Sequence, residues 1–131
     1  MIFVDSGAWY ACYVPSDADH AAATRWRTAN TVPLLTTDYI IDETLTLMAA
    51  RGHGDRALAF GVEVFGGQLA TTYYLSPSEI AAAWDVFQRF RDKEWSFTDC
   101  TSKVVIETLG ISQAFSFDQH FRQFGTVAVM P

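Results

Sequence analysis

Four acidic residues, Asp5, Glu43, Asp99 and Asp118, carry most of the chemistry legible in this chain. Three of them close short apolar or aromatic segments. Asp5 ends Ile2-Phe3-Val4, Asp99 follows Trp95-Ser96-Phe97-Thr98, and Asp118 follows Ala114-Phe115-Ser116-Phe117. A carboxylate repeated at the ends of buried segments suggests convergence on one spot. In an open α/β sheet that spot is the crevice beyond the carboxyl ends of the strands. Carboxylates crowded there repel one another unless a cation sits among them, and all-oxygen ligation suits Mg²⁺ or Mn²⁺. The pattern predicts a divalent-metal site that acts on phosphate.

Taken singly, each acid has an ordinary explanation. Asp5 is a turn former beside Ser6-Gly7-Ala8, Asp99 lies in the first turn of a helix where the dipole favours acids, and Asp118 is a fit N-cap. Their joint placement at strand-to-helix junctions is what raises the functional reading. Glu43 lies mid-helix instead. At about 100° per residue, Ile40, Thr44, Leu47 and Met48 form the inward stripe and Glu43 borders its Ile40/Leu47 edge, whereas Asp42 projects away as a solvated charge. A flanking Glu either reaches solvent or points into a polar cavity. Cys100 and His120 invite a thiol–imidazole pair, but Cys100 repeats in phase with Val104 as a core residue, and Asp99 beside it disfavours a thiolate. His20, His53 and His120 lack zinc-ligand spacing, and no glycine-rich phosphate loop is present.

The elements that must position these residues alternate between strand and helix. Residues 2–5 read as a buried strand and 7–13 as a short helix, with a second helix opening at Pro15-Ser16-Asp17 and running to about Asn30. A short strand at 34–36 precedes a helix over about 38–51 that Gly52 caps. A weaker helix spans 55–65, since Gly61 costs it stability, and 70–75 has β-branched and aromatic strand character. Ser76-Pro77-Ser78-Glu79 is a capping box opening a helix on which Ile80, Trp84, Phe87 and Phe90 recur at helical spacing. Thr98 is expected to cap a further helix ending at Leu109-Gly110. A strand at 114–117, a short helix at 119–124 and a last strand at 126–130 follow. Repeated β–α alternation predicts an α/β fold, a three-layer α/β/α sandwich around a mainly parallel sheet.

With 131 residues, half of them hydrophobic, the chain fits a single domain over 1–131 that buries roughly 65–70% of its unfolded surface. A net charge of −6 argues against indiscriminate binding of nucleic acid over the whole surface, though not against a local site. Cys12 and Cys100 show no C-x-x-C spacing, which fits a reduced, cytoplasmic protein. No apolar run approaches the ~18 residues of a membrane span, and the start lacks the basic residues of a signal peptide.

These motifs resemble the PIN domains, specifically the VapC-type ribonuclease toxins of toxin–antitoxin pairs. The strongest portion runs from Phe97-Thr98-Asp99-Cys100 through Ser116-Phe117-Asp118-Gln119-His120-Phe121, with Leu109-Gly110-Ile111 between and Gly125 after. Ile2-Phe3-Val4-Asp5-Ser6 and the segment around Asp42-Glu43 fall where that family places its first Asp and its Glu. The resemblance implies a Mg²⁺- or Mn²⁺-dependent endoribonuclease cutting single-stranded regions of RNA, inhibited by an antitoxin protein and usually a homodimer. It makes Asp5, Glu43, Asp99 and Asp118 the catalytic and metal-binding set. Ser6 and Thr98 sit at supporting-hydroxyl positions, and His20 and Cys100 at packing positions. Asp38 and Asp42 depart from the pattern by adding charge near Glu43.

Arg51, Arg89, Arg91 and Lys93 are the cations expected to grip RNA, and Trp9, Tyr10, Tyr13, Trp26, Phe60 and Phe65 the aromatics expected to form an exposed groove for a partner helix or a second copy. Two other readings compete: a metal-dependent phosphatase or phosphoryl-transfer domain, and a non-catalytic module of PIN shape. Asp5-Ser6-Gly7 lacks the D-x-D of a haloacid-dehalogenase-like phosphatase, and the intact acid set argues against a non-catalytic module.

Overall fold

A computed structural model describes all 131 residues, Met1–Pro131. The order is β1 (Ile2–Val4), α1 (Ser6–Tyr13), α2 (His20–Ala29), β2 (Leu34–Thr37), α3 (Asp38–Ala50), α4 (Gly54–Phe65), β3 (Thr71–Tyr73), α5 (Pro77–Arg89), α6 (Phe97–Leu109), β4 (Gln113–Phe115), α7 (Gln119–Gln123) and β5 (Ala128–Met130), with a 3₁₀ turn at Arg91–Lys93. Every strand pairing is parallel, and the sheet order is β3-β2-β1-β4-β5. Helices flank the sheet, giving the expected α/β sandwich. No helix is long and apolar enough to cross a membrane.

The order of strands explains where a site can form. The chain lays β2 and β3 on one side of β1, then returns to place β4 and β5 on the other. Connections therefore diverge between β1 and β4, and a crevice opens beyond their carboxyl ends. β1 is buried along its full length, which is why Ile-Phe-Val reads as one continuous apolar run. Val4 pairs with Phe115, and the Asp5 amide donates to the Phe115 carbonyl at 3.1 Å, so the ladder holds the two strand ends side by side.

Several expected boundaries move for identifiable reasons. α2 begins at His20, not Pro15: residues 15–19 form turns in which the Asp17 carboxylate accepts from the Asp19 amide at 3.0 Å. The strand expected over 70–75 shrinks to Thr71–Tyr73 because the Leu75 amide turns to the Asp38 carboxylate at 3.2 Å. The cap of α6 is Ser96, not Thr98. Ser96 and Asp99 form a reciprocal capping box, with an Asp where Glu or Gln is usual.

The aromatic residues expected to form an exposed groove are mostly core. Trp9 and Phe60 are fully buried, 5.6 Å apart by ring centroids. Tyr10 is buried too, and Trp26 stacks on Phe115 at 4.0 Å. Only Phe65 of the six is well exposed. It continues a stripe on α4 with Leu58 and Val62, at 65–70% exposure. Their 58-62-65 spacing puts them on one helix face.

Candidate active site

Three helix starts aim the acids at the crevice between β1 and β4. Asp5 is the N-cap of α1, its Oδ1 accepting from the Ser6 amide at 2.8 Å. Asp99 is the third residue of α6, fixed by the capping box: its Oδ2 accepts from the Ser96 amide at 3.0 Å, and its own amide donates to Ser96 Oγ at 3.0 Å. Asp118 caps α7, accepting from the His120 amide at 2.9 Å. Glu43 comes from the middle of α3 and accepts from the Ser6 hydroxyl. All four line one cleft of about 490 Å³. Asp42, the neighbouring acid of α3, is exposed and does not line it, and Asp38 is engaged at the foot of that helix.

Burial and mutual repulsion show in the proton affinities. Asp5 is 3% exposed. Burial lifts its pKa from 3.8 to about 7; the Ser116 hydroxyl and the Ser6 amide oppose the rise, while the charges of Asp99 and Asp118 add to it. Burial also raises Asp99, against the pull of the Ser96 amide and the His120 ring and with a push from Asp118. Without a cation the pocket therefore holds its carboxylates reluctantly ionised.

Two groups that the sequence reading named but gave no role at the acidic site also belong to it. Ser116 Oγ donates to Asp5 Oδ2 at 3.0 Å and accepts from the Asp118 amide at 3.0 Å, so one hydroxyl ties two of the acids together. His120 places Nδ1 3.0 Å from Asp99 Oδ2 and 3.5 Å from Asp118 Oδ1. One ligand atom from each of Asp99, Asp118 and His120 falls within 4.8 Å of the others. The signal for His120 was its position two residues after the cap of a short helix, which turns its ring back toward that cap. The donor set of carboxylate oxygens with one flanking imidazole fits a hard divalent ion, and Mn²⁺ tolerates the imidazole.

The thiol reading fails on its surroundings. Cys100 is fully buried, and burial with the Asp99 charge pushes its thiol up to about 11. Of the four cations expected to grip RNA, Arg51 lines the cleft, while Arg89, Arg91 and Lys93 do not.

No profile of a known protein family matches the chain. Individual proteins do. In Mycobacterium tuberculosis, strains CDC 1551 / Oshkosh and ATCC 25618 / H37Rv each carry a relative described as 23S rRNA-specific endonuclease VapC20. It is 31% identical over 131 residues, which cover 100% of this chain and 99% of the relative. The chain belongs to the VapC family of PIN-domain proteins. The crystal structure of M. tuberculosis VapC20, described as a sarcin–ricin-loop-cleaving toxin, matches at a TM-score of 0.92 and 29% identity over the whole of both chains. The fold extends to FitAcB from Neisseria gonorrhoeae, at a TM-score of 0.67 and 13% identity over 100% of this chain and 97% of that one. In this VapC-family chain the four acids line the cleft that opens at the switch point of the sheet, between β1 and β4.

Proposed function

We propose that this chain is a divalent-metal-dependent endoribonuclease, the toxin of a toxin–antitoxin pair, with Asp5, Glu43, Asp99 and Asp118 as its catalytic acids. One observation carries the reading: four carboxylates from the β1–α1 junction, α3, α6 and the β4–α7 junction line a single cleft, and burial, with the charges of Asp99 and Asp118 adding, drives the most buried of them toward neutrality. That arrangement costs stability unless a cation occupies it. Asp99 and Asp118 would hold Mg²⁺ or Mn²⁺ with Asp5, His120 taking part directly or through water. When bound, such an ion lowers the pKa of water and polarises a phosphate.

The chain's own groups do the rest. The capping box fixes Asp99, and Ser116 fixes Asp5 relative to Asp118. Ser6 takes one oxygen of Glu43, which leaves the other to orient an attacking water in line with the scissile phosphate. Hydrolysis of this kind leaves a 5′-phosphate and a 3′-hydroxyl. No side chain becomes covalently attached, in keeping with the inert thiol of Cys100.

The relatives supply the first substrate to try, since VapC20 is described as cleaving the sarcin–ricin loop of 23S rRNA. Exposed Leu58, Val62 and Phe65 on α4 suit an apolar face of the partner antitoxin, and a homodimer is proposed by the same family likeness. The test is cleavage of 23S rRNA with Mg²⁺, with Mn²⁺ and with EDTA, alongside DNA and a small phosphomonoester. Metal-dependent cutting of RNA alone is expected. Turnover of the phosphomonoester would favour a phosphatase, and no turnover at all a non-catalytic module.

A further inference from the structure

Fifteen residues line the cleft, and seven are acidic: Asp5, Asp17, Asp19, Glu43, Glu94, Asp99 and Asp118. Arg51 is the single Lys or Arg among them. A guanidinium surrounded by carboxylates normally pairs with one, because the fork of an Arg matches a carboxylate in two parallel hydrogen bonds. Arg51 pairs with none; the ion pairs of the chain are Lys103–Glu107 and the contacts of His120 with Asp99 and Asp118. Its guanidinium carbon lies instead 5.1 Å from the centroid of the Tyr10 ring. That ring is buried, and His53 meets it edge-on at 6.0 Å. Tyr10 is thus a platform that holds the Arg51 guanidinium at the cleft without using up its donors.

Glu43, Leu47 and Arg51 all line the cleft and stand four residues apart along α3, so they form one slowly turning stripe. At about 1.5 Å rise per residue, Arg51 begins about 12 Å along the helix axis from Glu43. This is too far to share the metal site and near enough to meet the same RNA strand. We infer that Arg51, held on Tyr10, is a positioning residue that clamps a backbone phosphate neighbouring the scissile one. It also explains how an acidic protein holds a polyanion: the bound metal and this one guanidinium supply the local positive charge. The inference rests on the ribonuclease reading and adds a residue to it. The bland alternative is that Arg51 only complements the negative end of α3, where it is the C-cap. That role affects stability and leaves RNA affinity untouched.

The experiment uses a 23S rRNA sarcin–ricin hairpin as probe and compares the full chain with Arg51→Met and, as control, Arg56→Met on exposed α4. Arg51→Met is expected to raise KM about tenfold or more, the usual loss for a charge-assisted contact, with kcat changed much less. In the non-cleaving Asp99→Asn background it lowers the slope of log Kd against log salt by about 0.7, one phosphate contact to single-stranded nucleic acid. With Asp99 intact, Arg51→Met leaves Mn²⁺ affinity unchanged, and Arg51→Lys restores part of the salt slope in the Asp99→Asn background. If the full chain cuts the hairpin but Arg51→Met matches it in KM and salt slope, the clamp is wrong and the nuclease reading stands. If the full chain neither binds nor cuts RNA, the nuclease reading falls, and the clamp with it.

Discussion

Replacing Asp5 by Asn should make the metal-free protein more stable while removing cleavage. Asp5 is buried, and its pKa rises from 3.8 to about 7, mainly from burial, with repulsion from Asp99 and Asp118 adding. A raised folded-state pKa means that folding takes up a proton between these two values. Stability is therefore full below pH 4 and declines as pH rises toward about 7. At about 1.4 kcal/mol per pH unit the ceiling on that loss is about 4 kcal/mol. Relaxation of the pocket and the rearranged hydrogen bonds reduce it to about 2 kcal/mol. An Asn side chain keeps the acceptor for the Ser6 amide, and its NH₂ group can donate to Ser116 Oγ in place of the bond that hydroxyl now gives. For a chain of this length, about 2 kcal/mol corresponds to a Tm increase of roughly 6–8 °C. The assay is thermal unfolding in EDTA from pH 4 to 8. The wild type should lose Tm across that range and Asp5→Asn should lose less, so the gap opens with pH. Mg²⁺ should raise the wild-type Tm at pH 7.5 and leave the variant nearly unchanged. Parallel pH profiles for the two proteins in EDTA would refute the reasoning.

Three further outcomes follow from the site's scaffolding. Ser96→Ala removes the N-cap of α6 and the hydroxyl that receives the Asp99 amide; it should cost about 1 kcal/mol of stability and lower cleavage, whereas Ser96→Thr should retain both, as chemical denaturation and an RNA cleavage assay would show. Cys100→Ala should retain RNA cleavage, and wild-type activity should survive thiol alkylation at pH 7, because the buried thiol stays protonated to about pH 11. Val62→Asp on the exposed stripe of α4 should leave cleavage intact and weaken binding of the cognate antitoxin by tenfold or more, measured by calorimetry; unchanged affinity would move the partner surface elsewhere.

What the sequence made legible was set by short-range chemistry. β1 reads correctly because a strand buried on both faces must be continuously apolar, and α5 because Ser76-Pro77-Ser78-Glu79 is a cap with few alternatives. Asp5, Asp99 and Asp118 were legible because each stands at a helix start or within its first turn, and Glu43 because it borders the apolar stripe of α3. The rest depended on contacts no local rule reports. Ser116 and His120 matter only because β4 pairs beside β1 and brings Asp5, Asp99 and Asp118 within their reach. The capping role went to Thr98 because an Asp at the third helical position reads first as a dipole effect; the box with Ser96 shows only in three dimensions. The aromatic count suggested an exposed groove, yet Trp9, Tyr10 and Phe60 pack inward where α1 and α4 enclose one another's rings. Arg51 could not be told from Arg89 or Arg91 by sequence, since what separates it is the turn of α3 toward the cleft.

The central claim is that these acids jointly hold a hard divalent cation, and Mn²⁺ anomalous diffraction tests it most directly. The account predicts a peak in the cleft bonded to Asp99 and Asp118, within one water of Asp5 and Glu43, and lost in Asp99→Asn. A Mn²⁺-saturated crystal with no peak there, or with its peak at other residues, would contradict it.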